Sequence, residues 1–98
     1  MTGTTRSSAG LDARRRRILY RSWHRGTREM DLLMGRFADK LIGDMSDEDV
    51  ADFERLIDVE DPDLFGWLAS GTPAPDYDTP IFHRFRQFQM SGEGVPDL

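Results

Sequence analysis

The helical character of the chain is clearest in residues 26–43, which read GTREMDLLMGRFADKLIG. Gly26 suits a corner of the chain, Thr27 suits the N-cap of a helix, and Gly43 suits its C-terminal cap. Glu29 and Asp31 add negative charge in the first turn, where it complements the helix dipole. We therefore predict an amphipathic helix between Thr27 and about residue 42. Its apolar stripe, spaced for about 3.6 residues per turn, consists of Met30, Leu33, Met34, Phe37 and Leu41.

Four further segments have helical spacing, and turn residues separate them. The first covers residues 11–24, and the third begins with Ser46 as its N-cap. The fourth has Asp61 as its N-cap, followed by proline, and ends at Gly71. Thr79, also followed by proline, starts the fifth. The side chains predicted to be buried on these four helices are Ile18, Leu19, Trp23, Val50, Phe53, Leu56, Ile57, Leu64, Trp67, Leu68, Ile81, Phe82, Phe85 and Phe88.

The chain has 98 residues, which is enough for one domain and too few for two. No segment alternates between apolar and polar residues as a half-buried strand does. Five helices with short connections predict an all-α fold, a compact five-helix bundle. We assign residues 10–90 to this domain and expect residues 1–9 and 91–98 to be flexible tails, because they are rich in Gly, Ser and Thr or lack periodicity.

Composition excludes several classes of protein. Without cysteine there is no disulfide framework, thiolate zinc site, iron–sulfur cluster or cysteine nucleophile. No apolar stretch approaches the roughly 20 residues that cross a bilayer, and the first ten residues lack the apolar segment of a secretory signal. We expect an intracellular protein with no membrane partner. The bacterial cytoplasm is favoured over the mitochondrial matrix, because a transit peptide would be longer than this leader.

Charge is distributed unevenly along the chain. Residues 1–28 contain eight arginines and one aspartate, a formal balance of +7, whereas the remainder carries −12. Arg14, Arg17 and Arg21 share one face of the first predicted helix, with Arg25 in line if that helix continues. Three interpretations stay open: contact with nucleic acid, solvation and pairing with the acidic residues of helices two and three, or contact with a protein partner. We favour the protein partner, because an acidic remainder repels phosphate and arginine is enriched at interfaces.

The residues that usually carry catalysis form no recognisable constellation. His24 and His83 lie on separate predicted helices, without a second ligand at metal-binding spacing. There is neither a nucleophile elbow nor a glycine-rich phosphate loop, and residues 44–63 read as a solvated acidic face. We therefore predict no catalytic residue, no metal site and no enzymatic activity.

The most informative segment is residues 23–31, WHRGTREMD. Gly26 lets two helices meet at a tight corner, from which we expect Arg25, Arg28 and Glu29 to project close together. Considered alone, the segment is either a structural corner between two helices or a corner built for recognition. Residues 25–29, RGTRE, are followed by MDL and later by DPDLFGWL at residues 61–68. This combination, with the acidic third helix between its two parts, resembles the succinate dehydrogenase assembly factor family. The similarity extends over about residues 11–90, nearly all of the predicted domain.

The resemblance implies a five-helix bundle that acts as a dedicated chaperone. It implies binding to the flavoprotein subunit of succinate dehydrogenase, and in some members of fumarate reductase, where FAD becomes covalently attached to a histidine. The FAD then belongs to the client, and this chain binds none stably. The family motif corresponds to Arg25, Gly26 and Glu29. The full set of candidate partner-binding residues is Arg25, Gly26, Glu29, Arg28, Arg21, Arg17 and Arg14.

Two other functions compete with this one. Some family members carry an antitoxin label, and a small nucleic-acid-binding or antitoxin-like protein would use the arginine face. A carrier of free FAD is disfavoured, because no segment resembles a dinucleotide-binding turn. We expect no nucleic-acid partner and a monomeric free state.

Overall fold

The computed structural model describes residues 10–92, and the tail predictions for residues 1–9 and 93–98 lie outside this range. Its five α-helices confirm the all-α prediction, and no strand occurs among the described residues. Short 3₁₀ turns follow the second helix and precede the fifth, at Ile42–Asp44 and Pro75–Tyr77. The helices are α1 (Ala13–Trp23), α2 (Arg28–Leu41), α3 (Asp47–Ile57), α4 (Asp61–Ser70) and α5 (Pro80–Met90).

The core is centred on α2, which packs most extensively against α1. At this contact the indole ring of Trp23 lies directly on the backbone of Gly35, so that a methyl group at Gly35 would be 2.3 Å from the Cδ2 atom of Trp23. Farther along α2, Phe37 contacts the rings of Phe53 on α3 and Phe85 on α5, with centroid separations of 5.5 and 5.1 Å. Aromatic contacts thereby join α2 to both α3 and α5.

Several predicted helix ends are confirmed. Ser46 and Thr79 cap α3 and α5, since each side chain accepts a hydrogen bond from the amide three residues ahead. Gly71 ends α4 in the left-handed conformation, with a φ of 78°. The prediction for Gly43 is wrong, because α2 passes directly into a 3₁₀ turn and Gly43 is not among the glycines with positive φ. The fully buried Ile42 lies in that turn, so the chain stays packed against the core instead of ending in an open cap.

Two predictions for α4 are also wrong. The N-cap is Glu60, and Asp61 is the first helical residue, with its carboxylate engaged elsewhere. Trp67 was predicted to be buried, but it is half-buried and packs against Tyr77 at the edge of the core. Within residues 10–92 no helix is long and apolar enough to cross a bilayer.

Candidate partner-binding corner

The corner between α1 and α2 is built around Gly26. Its φ is 115°, a backbone conformation that other residues rarely adopt. Gly26 is exposed, and a Cβ atom built on it would meet nothing within 4 Å. Glycine is therefore required here by the backbone conformation and not by crowding within the bundle. The open side of the residue leaves room for another molecule to approach the backbone.

Asp31 holds this corner from the first turn of α2. Its Oδ1 atom accepts hydrogen bonds from the amides of Arg25 and Gly26, at 2.5 and 3.2 Å. Two consecutive amides of the corner therefore share one carboxylate oxygen. Because a carboxylate is a strong acceptor for backbone N–H groups, this contact fixes the corner relative to α2.

Arg25 points into the bundle, and only 6% of its side chain is exposed. Its guanidinium donates to the backbone carbonyl of Ile57 and, at 2.7 Å, to that of Val59. It also forms an ion pair with Asp61 on α4, at 2.5 Å. The carbonyl of Ile57 is at the C-terminal end of α3, where a cation is favoured, and that of Val59 lies just beyond it. The sequence had suggested that Arg25 projects outward with its neighbours, and this orientation is wrong. Its partner-binding role stays a prediction.

Thr27 also connects the corner to α4. It occupies the N-cap position of α2, as predicted, but its side chain makes no capping hydrogen bond. Instead its hydroxyl donates to the Oδ2 atom of Asp61 at 2.7 Å. Asp61 thus accepts from Thr27 with one oxygen and from Arg25 with the other, which explains why its carboxylate does not cap α4.

Arg28 and Glu29 are exposed at the start of α2. Neither of them forms an ion pair within the described part of the chain. Gly26, Arg28 and Glu29 therefore form an outward surface with both charges available, which we call the corner surface. Arg25, Asp31 and Asp61 lie behind it and tie it to the bundle.

The arginine face of α1 is largely engaged with acidic residues of α3. Arg17 is exposed and has no ion pair among residues 10–92. In each ion pair between α1 and α3 at least one side chain is exposed, so the pair contributes little to stability. A carboxylate of a partner protein can therefore replace the acidic residue of α3 at small cost. The α1–α3 ion pairs are Arg14 with Glu54 at 2.8 Å, Arg15 with Asp47 at 3.5 Å, and Arg21 with Asp58.

Sequence reasoning missed Asp31 and Asp61 as the holders of the corner. Both aspartates had been read as helix-start signals, because acids near helix N-termini usually serve the cap or the dipole. It also missed the stacked rings of Tyr20 and His24, whose centroids are 4.0 Å apart just before the corner. The described residues contain no cluster of three or more histidine or acidic side chains that could hold a metal ion.

The chain is similar to proteins of one family over most of its length. The family described as flavinator of succinate dehydrogenase matches residues 16–89. The FAD assembly factor SdhE of Acetobacter pasteurianus is 40% identical over 75 residues, which cover 76% of this chain and 69% of that protein.

Mitochondrial proteins are similar as well. Succinate dehydrogenase assembly factor 2-A of Drosophila yakuba is 35% identical over 95% of this chain and 59% of its own length. Succinate dehydrogenase assembly factor 2 of Debaryomyces hansenii is 35% identical over 72% of this chain and 52% of its own. The chain thus spans between half and two thirds of these mitochondrial relatives. The match over residues 16–89 includes α2 to α4 and the whole corner, and the chain belongs to the flavinator of succinate dehydrogenase family.

Proposed function

We propose that this protein is a non-catalytic assembly factor that binds the flavoprotein subunit of succinate dehydrogenase and promotes covalent attachment of FAD to it. The observation that carries this proposal is the corner surface, which lies inside the region matched by the family. Its glycine is open to close approach and its two charges are unpaired within residues 10–92. Relatives named for FAD assembly and for succinate dehydrogenase assembly support the choice of client.

The bond-forming chemistry belongs to the client, whose histidine and flavin must be held in near-attack geometry. A binding protein can favour that geometry without supplying a catalytic group. If it binds the competent state of the client more tightly than other states, it raises the population of that state by about tenfold for each 1.4 kcal/mol of differential affinity. FAD stays with the client in this mechanism, so this chain needs no flavin site of its own.

Within this mechanism the corner residues have separate tasks. Gly26 permits close approach of the client's backbone, while Glu29 and Arg28 supply charged contacts. Arg17 extends the contact along α1, and Arg14 and Arg21 join it when carboxylates of the client replace Glu54 and Asp58. Arg25 acts from inside the bundle, where its ion pair with Asp61 supports the corner. Three further points stay predictions: a flavoprotein of fumarate reductase as a second client, a monomeric free state and a bacterial cytoplasmic location.

The test is complementation in cells that lack the native protein. The wild type, Gly26→Arg, Glu29→Ala and Glu48→Ala are expressed, and covalent flavin fluorescence of the flavoprotein subunit is measured in a denaturing gel beside the abundance of each variant. Glu29→Ala should reduce covalent flavin at normal abundance, and Gly26→Arg should reduce it both by blocking close approach and by straining the backbone at a φ of 115°. Glu48→Ala is the matched control, because Glu48 is an exposed acid in the first turn of α3. Full flavin attachment with both corner variants would refute the proposal.

A further inference from the structure

Asp31 contacts the backbone of the corner that precedes its own helix. Its Oδ1 atom accepts hydrogen bonds from the amides of Arg25 and Gly26, six and five residues earlier in the chain. Those amides precede the helix, whereas Asp31 lies in its first turn. One side chain therefore joins the backbone of the corner to the helix that carries Arg28 and Glu29.

We propose that Asp31 is a positioning residue for the corner surface: it holds the backbone of Arg25 and Gly26 in the conformation that the partner binds. Asp31 need not contact the partner itself. The inference rests on the proposed function, because the partner is the flavoprotein subunit proposed above.

The corner needs such a holder because its central residue is a glycine. Glycine adopts positive and negative φ about equally well, so the value of 115° at Gly26 is not imposed by the residue itself. Nothing lies within 4 Å of a Cβ atom built there, so packing does not impose it either. The Arg25 side chain is anchored on α3 and α4, and Asp31 supplies the second anchor at the backbone.

Loss of this anchor lowers the affinity for the partner, because a smaller fraction of the molecules then has the corner in its binding conformation. A corner that samples several conformations is competent for binding only part of the time, and the apparent Kd rises in proportion. A change at residue 31 leaves in place the aromatic contacts of α2 with α3 and α5 and the ion pair between Arg25 and Asp61, which hold the bundle together. Binding should therefore change more than stability does.

The positioning role can be separated from a simple charge effect. A negative charge in the first turn of a helix is favourable whatever it contacts. If charge alone mattered, asparagine and alanine at residue 31 would be equally harmful. If Asp31 works as an acceptor for the two amides, Asp31→Asn keeps a carbonyl oxygen in place and rescues most of the function, while Asp31→Ala does not.

The experiment measures binding of the purified protein to the purified flavoprotein subunit that carries non-covalent FAD. Asp31→Ala should weaken the affinity by about tenfold or more, or about 1.4 kcal/mol, and Asp31→Asn should stay within about threefold of the wild type. Glu48→Ala is the control, because it removes an acid from the first turn of a different helix, α3, and it should leave the affinity unchanged. Equal losses for alanine and asparagine at residue 31, or no loss for alanine, would overturn the proposal.

A second readout examines the free protein. Hydrogen exchange of the Arg25 and Gly26 amides, followed by NMR, should be faster in Asp31→Ala than in Asp31→Asn or the wild type. Weaker binding without faster exchange at these amides would overturn the positioning role. Failure of the wild type to bind the flavoprotein would overturn the proposed function and the partner role of Asp31 together, whereas the exchange rates report the corner contact separately from that outcome.

Discussion

Arg25 and Asp61, 36 residues apart in sequence, form an ion pair with 2.5 Å between Nη2 and Oδ1. Their side chains are only 6% and 18% exposed. The guanidinium also donates to the carbonyl of Ile57 at the end of α3 and to that of Val59 just beyond it, and the hydroxyl of Thr27 donates to the second oxygen of Asp61. One charged cluster therefore joins the α1–α2 corner, the end of α3 and the start of α4.

Asp61→Ala should destabilise the protein by about 3 kcal/mol, because removing one member of a buried pair leaves the other charge without its partner. The carbonyls of Ile57 and Val59 remain to accept from Arg25, which keeps the loss near the lower end of the range for buried pairs. The free energy of unfolding is measured by urea denaturation. Asp63→Ala, an exposed acid in the same first turn, should change it by less than about 0.5 kcal/mol. Equal losses in the two variants would indicate a helix-dipole effect and contradict the ion-pair account.

Gly35→Ala should also be destabilising, by about 1 to 3 kcal/mol, since a small-to-large change in a filled site forces side chains and backbone apart. The new methyl group would lie 2.3 Å from the ring of Trp23, which is 6% exposed and packed in the core. Helix propensity acts in the opposite direction, by about 1 kcal/mol in favour of alanine. Thermal unfolding of the variant measures the balance.

Gly66→Ala is the matched control for that prediction. Gly66 also lies inside a helix, α4, but it is exposed and an added Cβ atom meets nothing within 4 Å. Only the propensity term remains, so this variant should be more stable by about 0.5 to 1 kcal/mol. A neutral or stabilising Gly35→Ala would contradict the close packing of Trp23 on α2.

The helical bundle could be predicted because its signals are local. Apolar spacing, the capping residues Ser46 and Thr79, and Gly71 at a helix end each act within a few residues of chain. Trp67 shares a helix face with Leu64 and Leu68, but spacing along one helix does not show that its ring lies at the edge of the core against Tyr77 and stays half-buried. Half-burial depends on how the edge of the bundle is covered, and that information lies in another segment.

The corner was predicted only in part for the same reason. A glycine between two helices indicated the turn, and Arg28 and Glu29 are exposed as expected. The inward direction of Arg25 depends on carbonyls and a carboxylate more than 30 residues away. No local pattern contains those partners, so Arg25, the first residue of the family motif, was interpreted as a contact residue.

Titration of Asp12 should make the free energy of unfolding depend on pH in the acidic range. Asp12 is the N-cap of α1, and the hydrogen bond that it accepts from the Arg15 amide, with a second from the Arg15 side chain, holds the pKa of its carboxyl below the ordinary value of 3.8. A pKa that is lower in the folded state gives a stabilising contribution that is complete above the unfolded value and is lost as pH falls through the folded value. Asp12→Asn keeps a capping oxygen and removes this titration. The stability of Asp12→Asn should fall less steeply in acid than that of the wild type. Urea denaturation from neutral to strongly acidic pH measures this, and identical curves would contradict a stabilising role for the Asp12 carboxylate.

The last prediction concerns the arginine face of α1 and the nucleic-acid alternative. Glu54 and Asp58 of α3 pair with Arg14 and Arg21, so a phosphate approaching these arginines also meets two carboxylates. At physiological salt the protein should bind labelled duplex or single-stranded DNA no better than a non-specific binder, with a Kd of about 10⁻⁴ to 10⁻⁶ M or weaker. Fluorescence anisotropy at several salt concentrations measures this. Neutralising both acids, with Glu54→Gln and Asp58→Asn together, should tighten the binding, because it releases the two arginines from their pairs. Submicromolar, salt-sensitive binding by the unaltered protein would instead favour the nucleic-acid function over the flavoprotein one.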